Sequence, residues 1–153
     1  MRRLADALYV VTLTLWVGGL WAVGYLVAPV LFSALPDRAL AGQIAGRLFL
    51  MIGWAGLACG AYLLLFMLLR SGAAALRRSA FWLVLLMALM AAAGVFGLQP
   101  LLAQLKVDAL PREVMDSVLR DRFATWHGVS SVLYLAQSVL GLWLVIGRGR
   151  NPG

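Results

Sequence analysis

Four stretches of the sequence, 7–36, 48–69, 79–105 and 123–147, contain no Asp, Glu, Lys or Arg. Each exceeds the roughly 20 residues that cross about 30 Å of hydrocarbon as a helix. In lipid an unpaired backbone amide is costly, so such a run folds as a helix with its own hydrogen bonds. Composition agrees: 63% of the 153 residues are hydrophobic and 12% charged, where a soluble domain is nearer half and a quarter. Little chain remains for a soluble domain. The sequence predicts an all-α integral membrane protein, one domain over 1–153, built as a four-helix antiparallel bundle. Its spans fall at about 7–33, 48–69, 79–103 and 123–147.

Charge between the runs orients the bundle. With four spans, both chain ends and the 70–78 loop share one side. That side holds Arg2, Arg3, Arg70, Arg77, Arg78, Arg148 and Arg150 against Asp6 alone. The other side offsets its six basic residues with Asp37, Asp108, Glu113, Asp116 and Asp121. The positive-inside rule then makes both termini cytoplasmic, in the inner membrane if the source is bacterial. The net charge of +7 flanks spans and forms no aromatic-interleaved patch. It points to anionic lipid headgroups and to no nucleic acid. The first run is far longer than the roughly 7–15 apolar residues of a secretory leader, so it reads as a span. The single Cys59 lies inside the second run, so no internal disulfide forms.

Local signals divide the runs. Pro29 and Pro100 each remove a backbone donor near the outer end of a span, which favours a kink there. Asp37 is placed to cap the second helix. Gly42, Gly46, Gly53, Gly56 and Gly60 fall on one helical stripe, with Phe49 in the skipped place. Lipid supplies no hydrophobic force between helices, so a stripe of this kind reads as a close-packing face. Residues 111–121 set Val114, Met115, Val118 and Leu119 against charges, the pattern of a short amphipathic helix at the interface. In the last span His127, Ser130, Tyr134, Gln137 and Gly141 share a face, bordered by Ser131 and Ser138. A polar stripe on a membrane helix turns towards the bundle interior or a cavity.

Threading this topology brings Tyr25, Arg47, Gln99 and His127 to the extracytoplasmic half, from all four spans. With Ser130, Ser131, Tyr134 and the deep Trp16 they are the candidate pocket residues. Two readings stay open: an interhelical hydrogen-bond network or a ligand pocket. His127 is the sole histidine and the only plausible metal ligand, too few for a protein zinc site. Copper through Cys59 and the six methionines is disfavoured, because Cys59, Met87 and Met90 sit deep while His127 sits outward. Haem held axially by His127 is the remaining cofactor option, and no cofactor is the expected state. No glycine-rich nucleotide loop, nucleophile triad or paired carboxylates mark an enzyme.

On "LWVGGLWAVGYLVAPVLFSALP" and "FATWHGVSS", the chain resembles the family of small four-helix membrane proteins typified by human transmembrane protein 205. The resemblance covers essentially the whole chain. It sets a histidine-glycine-serine motif on His127, Gly128, Ser130 and Ser131. Tyr134 stands where relatives tend to carry Asn. The first stretch is also similar to CopD copper-resistance membrane domains and, more faintly, to HemJ-type haem-pathway oxidases. That resemblance implies copper or haem handling, although this chain lacks their multiple histidines. The first family implies no established activity, and its animal members are linked with tolerance of platinum drugs.

The expected function is a non-enzymatic bundle that binds a small molecule, a lipid or a metal, in a transport-related role, through a polar extracytoplasmic pocket. The alternatives are a haem- or copper-associated redox membrane protein and a structural subunit of a membrane complex. Expected partners are the bilayer and either a second copy or another membrane protein. Topology reporters fused after Gly153 and inserted beside Glu113 should report opposite sides of the membrane. The same side for both would break the four-span reading.

Overall fold

In a computed structural model of the protein, residues 2–110 and 113–150 are described, with side chains over 3–110 and 113–147. The first span joins α1 (Arg2–Trp21), a six-residue π-helical turn (Ala22–Val27) and α2 (Ala28–Ala34). The second is α3 (Arg38–Ser71). The third repeats the plan of the first, with α4 (Ser79–Ala92), a π turn (Ala93–Leu98) and α5 (Gln99–Asp108). The fourth is α6 (Arg120–Arg150). All four are long and apolar enough to cross a membrane, which marks the chain as a multi-pass membrane protein.

The connections are short and each has a local cause. Asp37 caps α3, its carboxylate accepting from the Leu40 amide at 3.0 Å. Gly72 leaves α3 at φ +53°, a left-handed value glycine adopts without strain. It opens the 3-10 turn Gly72–Arg77 that leads into α4. The stretch expected as one amphipathic helix over 111–121 takes another form. Val114–Asp116 is a single 3-10 turn, Val118 is 98% exposed, and α6 begins at Arg120. Residues 111 and 112 lie outside the described residues. The stretch is too short and too rich in turn-forming Asp and Ser to nucleate a separate helix.

Contacts between helix ends fix the directions. Arg70, at the end of α3, pairs with Asp6 at the start of α1. The Lys106 ammonium of α5 donates to the Gly42 carbonyl near the start of α3, at 3.3 Å. Successive spans are therefore antiparallel, and α1 and α4 each pack on both α3 and α6. The end with Asp6 and Arg70 is called the terminal side below, and the opposite end the far side.

Both π turns precede a proline by the same interval. Proline has no N–H and its ring crowds the carbonyl four residues back, so an α-helical ladder fails there. The chain widens instead of simply kinking. The Ala28 amide reaches back to the Val23 carbonyl, and the Gln99 amide to that of Gly94, each five residues away. Leu13, Trp16 and Leu20 lie as far before Pro29 as Val84, Met87 and Ala91 lie before Pro100, and all six are buried. Spans one and three thus present matching positions to the bundle centre.

The centre is packed around Trp16, 1% exposed. Its indole lies on the glycine stripe of α3. A Cβ built on Gly56 would stand 2.6 Å from the Trp16 Nε1, and one on Gly60 only 2.9 Å from Ala88 Cβ. The matching Met87 meets Gly141 of α6 in the same way, at 3.2 Å from a built Cβ. The Trp16 N–H has no hydrogen-bond partner among the described residues, a cost of about 1–3 kcal/mol that close packing must offset. Gly53 lies against Val95, whereas Gly42 has only Lys106 and Phe32 atoms at 3.9 Å, and Gly46 faces open space. The stripe is a packing face in its inner part alone. Gly56→Leu should therefore lower the detergent melting temperature through an overpacking cost of about 1–3 kcal/mol, while Gly46→Leu leaves it nearly unchanged. Equal melting temperatures for the two would contradict this packing.

Candidate functional site

The sequence-predicted site residues separate along α6. From Arg120 to Ala136 none is buried, and burial begins at Gln137. The far half of span four is only partly covered by its neighbours, with Tyr134 packed against the core, and its polar stripe divides along its length. His127 is exposed, its ring stacked on Phe123 with centroids 5.8 Å apart and planes 7° from parallel. Its side chain makes no hydrogen bond among the described residues. Its carbonyl accepts the Ser131 hydroxyl at 2.9 Å, an intrahelical contact. Ser130 and Gln99 are half-buried, and Arg47 is exposed. None of these three is hydrogen-bonded or ion-paired through its side chain among the described residues. Trp16 belongs to the core described above.

The inner part of the stripe binds the helices together through backbone carbonyls. Gln137, buried on α6, donates to the Met87 carbonyl at 3.0 Å. Ser138 donates to the Tyr134 carbonyl at 2.8 Å, while its own carbonyl accepts the Trp21 indole N–H at 3.3 Å. Tyr134 reaches furthest. Its hydroxyl donates to the Leu20 carbonyl at 2.5 Å, where α1 gives way to the π turn. Inserting a side chain into the ladder is a recognised cause of such an irregularity. Gly24 makes the approach feasible, since a Cβ there would fall 2.4 Å from the Tyr134 ring. Tyr25, Trp21 and Phe49 complete an aromatic cluster. Phe49 meets Tyr134 edge-on at 5.0 Å, Tyr25 lies 6.4 Å from Tyr134, and Trp21 lies 5.0 Å from Tyr25.

Sequence reasoning placed Tyr134 and Tyr25 in one constellation and read Trp21 as a deep residue that packs or lines the pocket, but it missed Phe49 and Gly24. It also missed a second feature on the far half. An apolar groove of about 500 Å³ runs between spans three and four. Ala93, Gly97, Leu98 and Leu101 form one wall, Trp126, Val129 and Leu133 the other. Built Cβ atoms on Gly94 and Gly97 meet nothing within 4 Å. The available signal was the pair of glycines ahead of Pro100, which leave a helix face without side chains.

Among the described residues no three of His, Cys, Asp and Glu come together. Cys59 lies mid-span, and His127 stands on the outer face of α6, stacked on Phe123. The ligand sets that the CopD-like and HemJ-like resemblances imply do not fit these residues.

Residues 11–111 match the family described as Domain of unknown function (DUF4149). The chain belongs to that family. No curated protein and no solved structure matches it. The DUF4149 region takes in most of span one and all of spans two and three. Tyr134 and the α6 wall of the groove lie beyond it. Tyr134→Phe should cost about 1 kcal/mol of stability, the usual worth of one interhelical hydrogen bond in a membrane bundle. Gly24→Ala should cost more, because its Cβ collides with the ring. Detergent melting temperatures of the two variants check this, and the reverse order would contradict it.

Proposed function

We propose that this DUF4149 protein is a lipid-binding membrane protein that holds an acyl chain in the groove between spans three and four. The observation that carries the reading is the character of that groove. Its walls are Ala, Gly, Leu, Val and Trp, it opens sideways, and it lies on the half of the bundle where α6 is only partly covered by its neighbours. A volume of about 500 Å³ sits within the roughly 300–1,000 Å³ of ligand clefts. An apolar hollow gives water too few hydrogen-bonding partners, whereas hydrocarbon fills it with dispersion contacts. In the orientation favoured by the arginines of the terminal side, both chain ends are cytoplasmic and the groove faces the outer leaflet.

This reading keeps the lipid option of the sequence and sets aside the polar pocket around His127. Haem and copper rest on His127 alone and gain no second ligand. The resemblance to the transmembrane protein 205 family brings no activity to decide between roles, so binding is the whole of the proposal.

Gly97→Leu tests it directly. The new side chain meets no protein atom at its Cβ, so it should fill the groove without disturbing the fold. Native mass spectrometry of the detergent-extracted chain should show retained phospholipid lost in Gly97→Leu at an unchanged melting temperature. Gly128→Leu, also in open space but on α6 outside the groove, should keep it. Equal retention by Gly97→Leu and the unsubstituted chain would refute the assignment.

A further inference from the structure

We infer that the groove selects a phospholipid whose head carries a phosphate and, beyond it, an ammonium group, held by Arg122 and Asp108 at the groove mouth. The inference rests on the acyl-chain reading and adds the head that goes with the chain. On α6, Arg122 precedes Trp126, Val129 and Leu133 by four, seven and eleven residues, so all four share one face. On α5, Asp108 follows Leu101 and Gly97 by seven and eleven residues and shares the face of the opposite wall. Each wall of an apolar groove therefore ends in one charge, and the two charges have opposite sign.

The levels of the two walls agree. The Lys106 ammonium lies 5.7 Å from the Phe123 ring centroid, which sets residue 106 of α5 beside residue 123 of α6. Asp108 is two residues further out than Lys106, and Arg122 one further out than Phe123. Along the helix axes Arg122 stands about 6 Å and Asp108 about 7–8 Å outside Trp126. Trp126 is 38% exposed, and its indole N–H makes no hydrogen bond among the described residues. That donor sits where the ester carbonyls of a lipid would lie if its chain filled the groove.

Arg122 and Asp108 are both exposed and form no ion pair with each other or with any described residue. The Lys106 ammonium is engaged by the Gly42 carbonyl and the Phe123 ring. A guanidinium binds a phosphate through paired N–H donors, and a carboxylate attracts an ammonium. A head such as phosphoethanolamine satisfies both walls. Phosphoglycerol satisfies Arg122 and sets its hydroxyls against Asp108.

The test is native mass spectrometry of the full chain with equal amounts of phosphatidylethanolamine, phosphatidylglycerol and diacylglycerol, all bearing the same acyl chains. The unsubstituted protein should retain the ethanolamine lipid about threefold over the glycerol lipid, the scale of one exposed charge pair. Arg122→Gln should reduce retention of both phospholipids about tenfold while leaving diacylglycerol unchanged, the scale of a charge-assisted hydrogen bond. Asp108→Asn should equalise the two phospholipids. Retention of phosphatidylglycerol at or above phosphatidylethanolamine, or no loss in Arg122→Gln, would overturn the headgroup assignment. The groove itself fails only if Gly97→Leu still retains every lipid, so the two failures are separable.

Discussion

Close packing of Trp16 on a glycine-lined helix is the contact on which the rest of this bundle depends. Lipid tails are as apolar as leucine, so burial from water does not draw membrane helices together. Fit must do so. An indole brings a large surface to one position, and only helices stripped of side chains can meet it on all sides. Gly56 and Gly60 provide that notch on α3, and Gly141 provides its counterpart for Met87 on α6. Even an indole N–H with no partner among the described residues is tolerated at this point.

The far half follows from what the core lacks. Past the π turns no large side chain fills a glycine notch, and α6 buries nothing before Gln137. Two polar contacts hold the helices there. Tyr134 enters the interrupted ladder of span one at Leu20, and Lys106 links α5 to α3 through the Gly42 carbonyl. Between α5 and α6 the Lys106 ammonium also meets the Phe123 ring at the outer end, and further in the space between spans three and four remains as the apolar groove. The two prolines thus lead to different outcomes. The widened turn before Pro29 is occupied by a tyrosine, while the one before Pro100 lines a cleft.

Much of this was legible in the sequence, because charge is nearly prohibited in lipid and its absence delimits spans directly. The four runs and the Asp37 cap appear in the structure as helices and a capped terminus. The π turns were not legible, since proline announces that a hydrogen bond fails but not how the chain accommodates it. The polar stripe of span four was readable as periodicity, yet periodicity cannot tell where a helix leaves its neighbours. His127 and Gln137 look equivalent in sequence, but only Gln137 lies within the packed part. The partner of Tyr134 is a backbone carbonyl, and carbonyls carry no sequence signature. The groove went unseen for a similar reason: apart from Trp126 it consists of Gly, Ala, Leu and Val, ordinary residues in any membrane helix. Its existence depends on the separation of two spans.

Lipid occupancy of that groove is the central claim, and photolabelling in the membrane tests it most directly. A phospholipid carrying a diazirine midway along one acyl chain is incorporated into vesicles with the protein, irradiated, and the adducts mapped by peptide mass spectrometry. Adducts concentrated on residues 97–101 and 126–133 are the predicted result. Adducts spread evenly over outward-facing positions such as Met51, Leu65 and Trp143 would mean that the groove holds no lipid of its own.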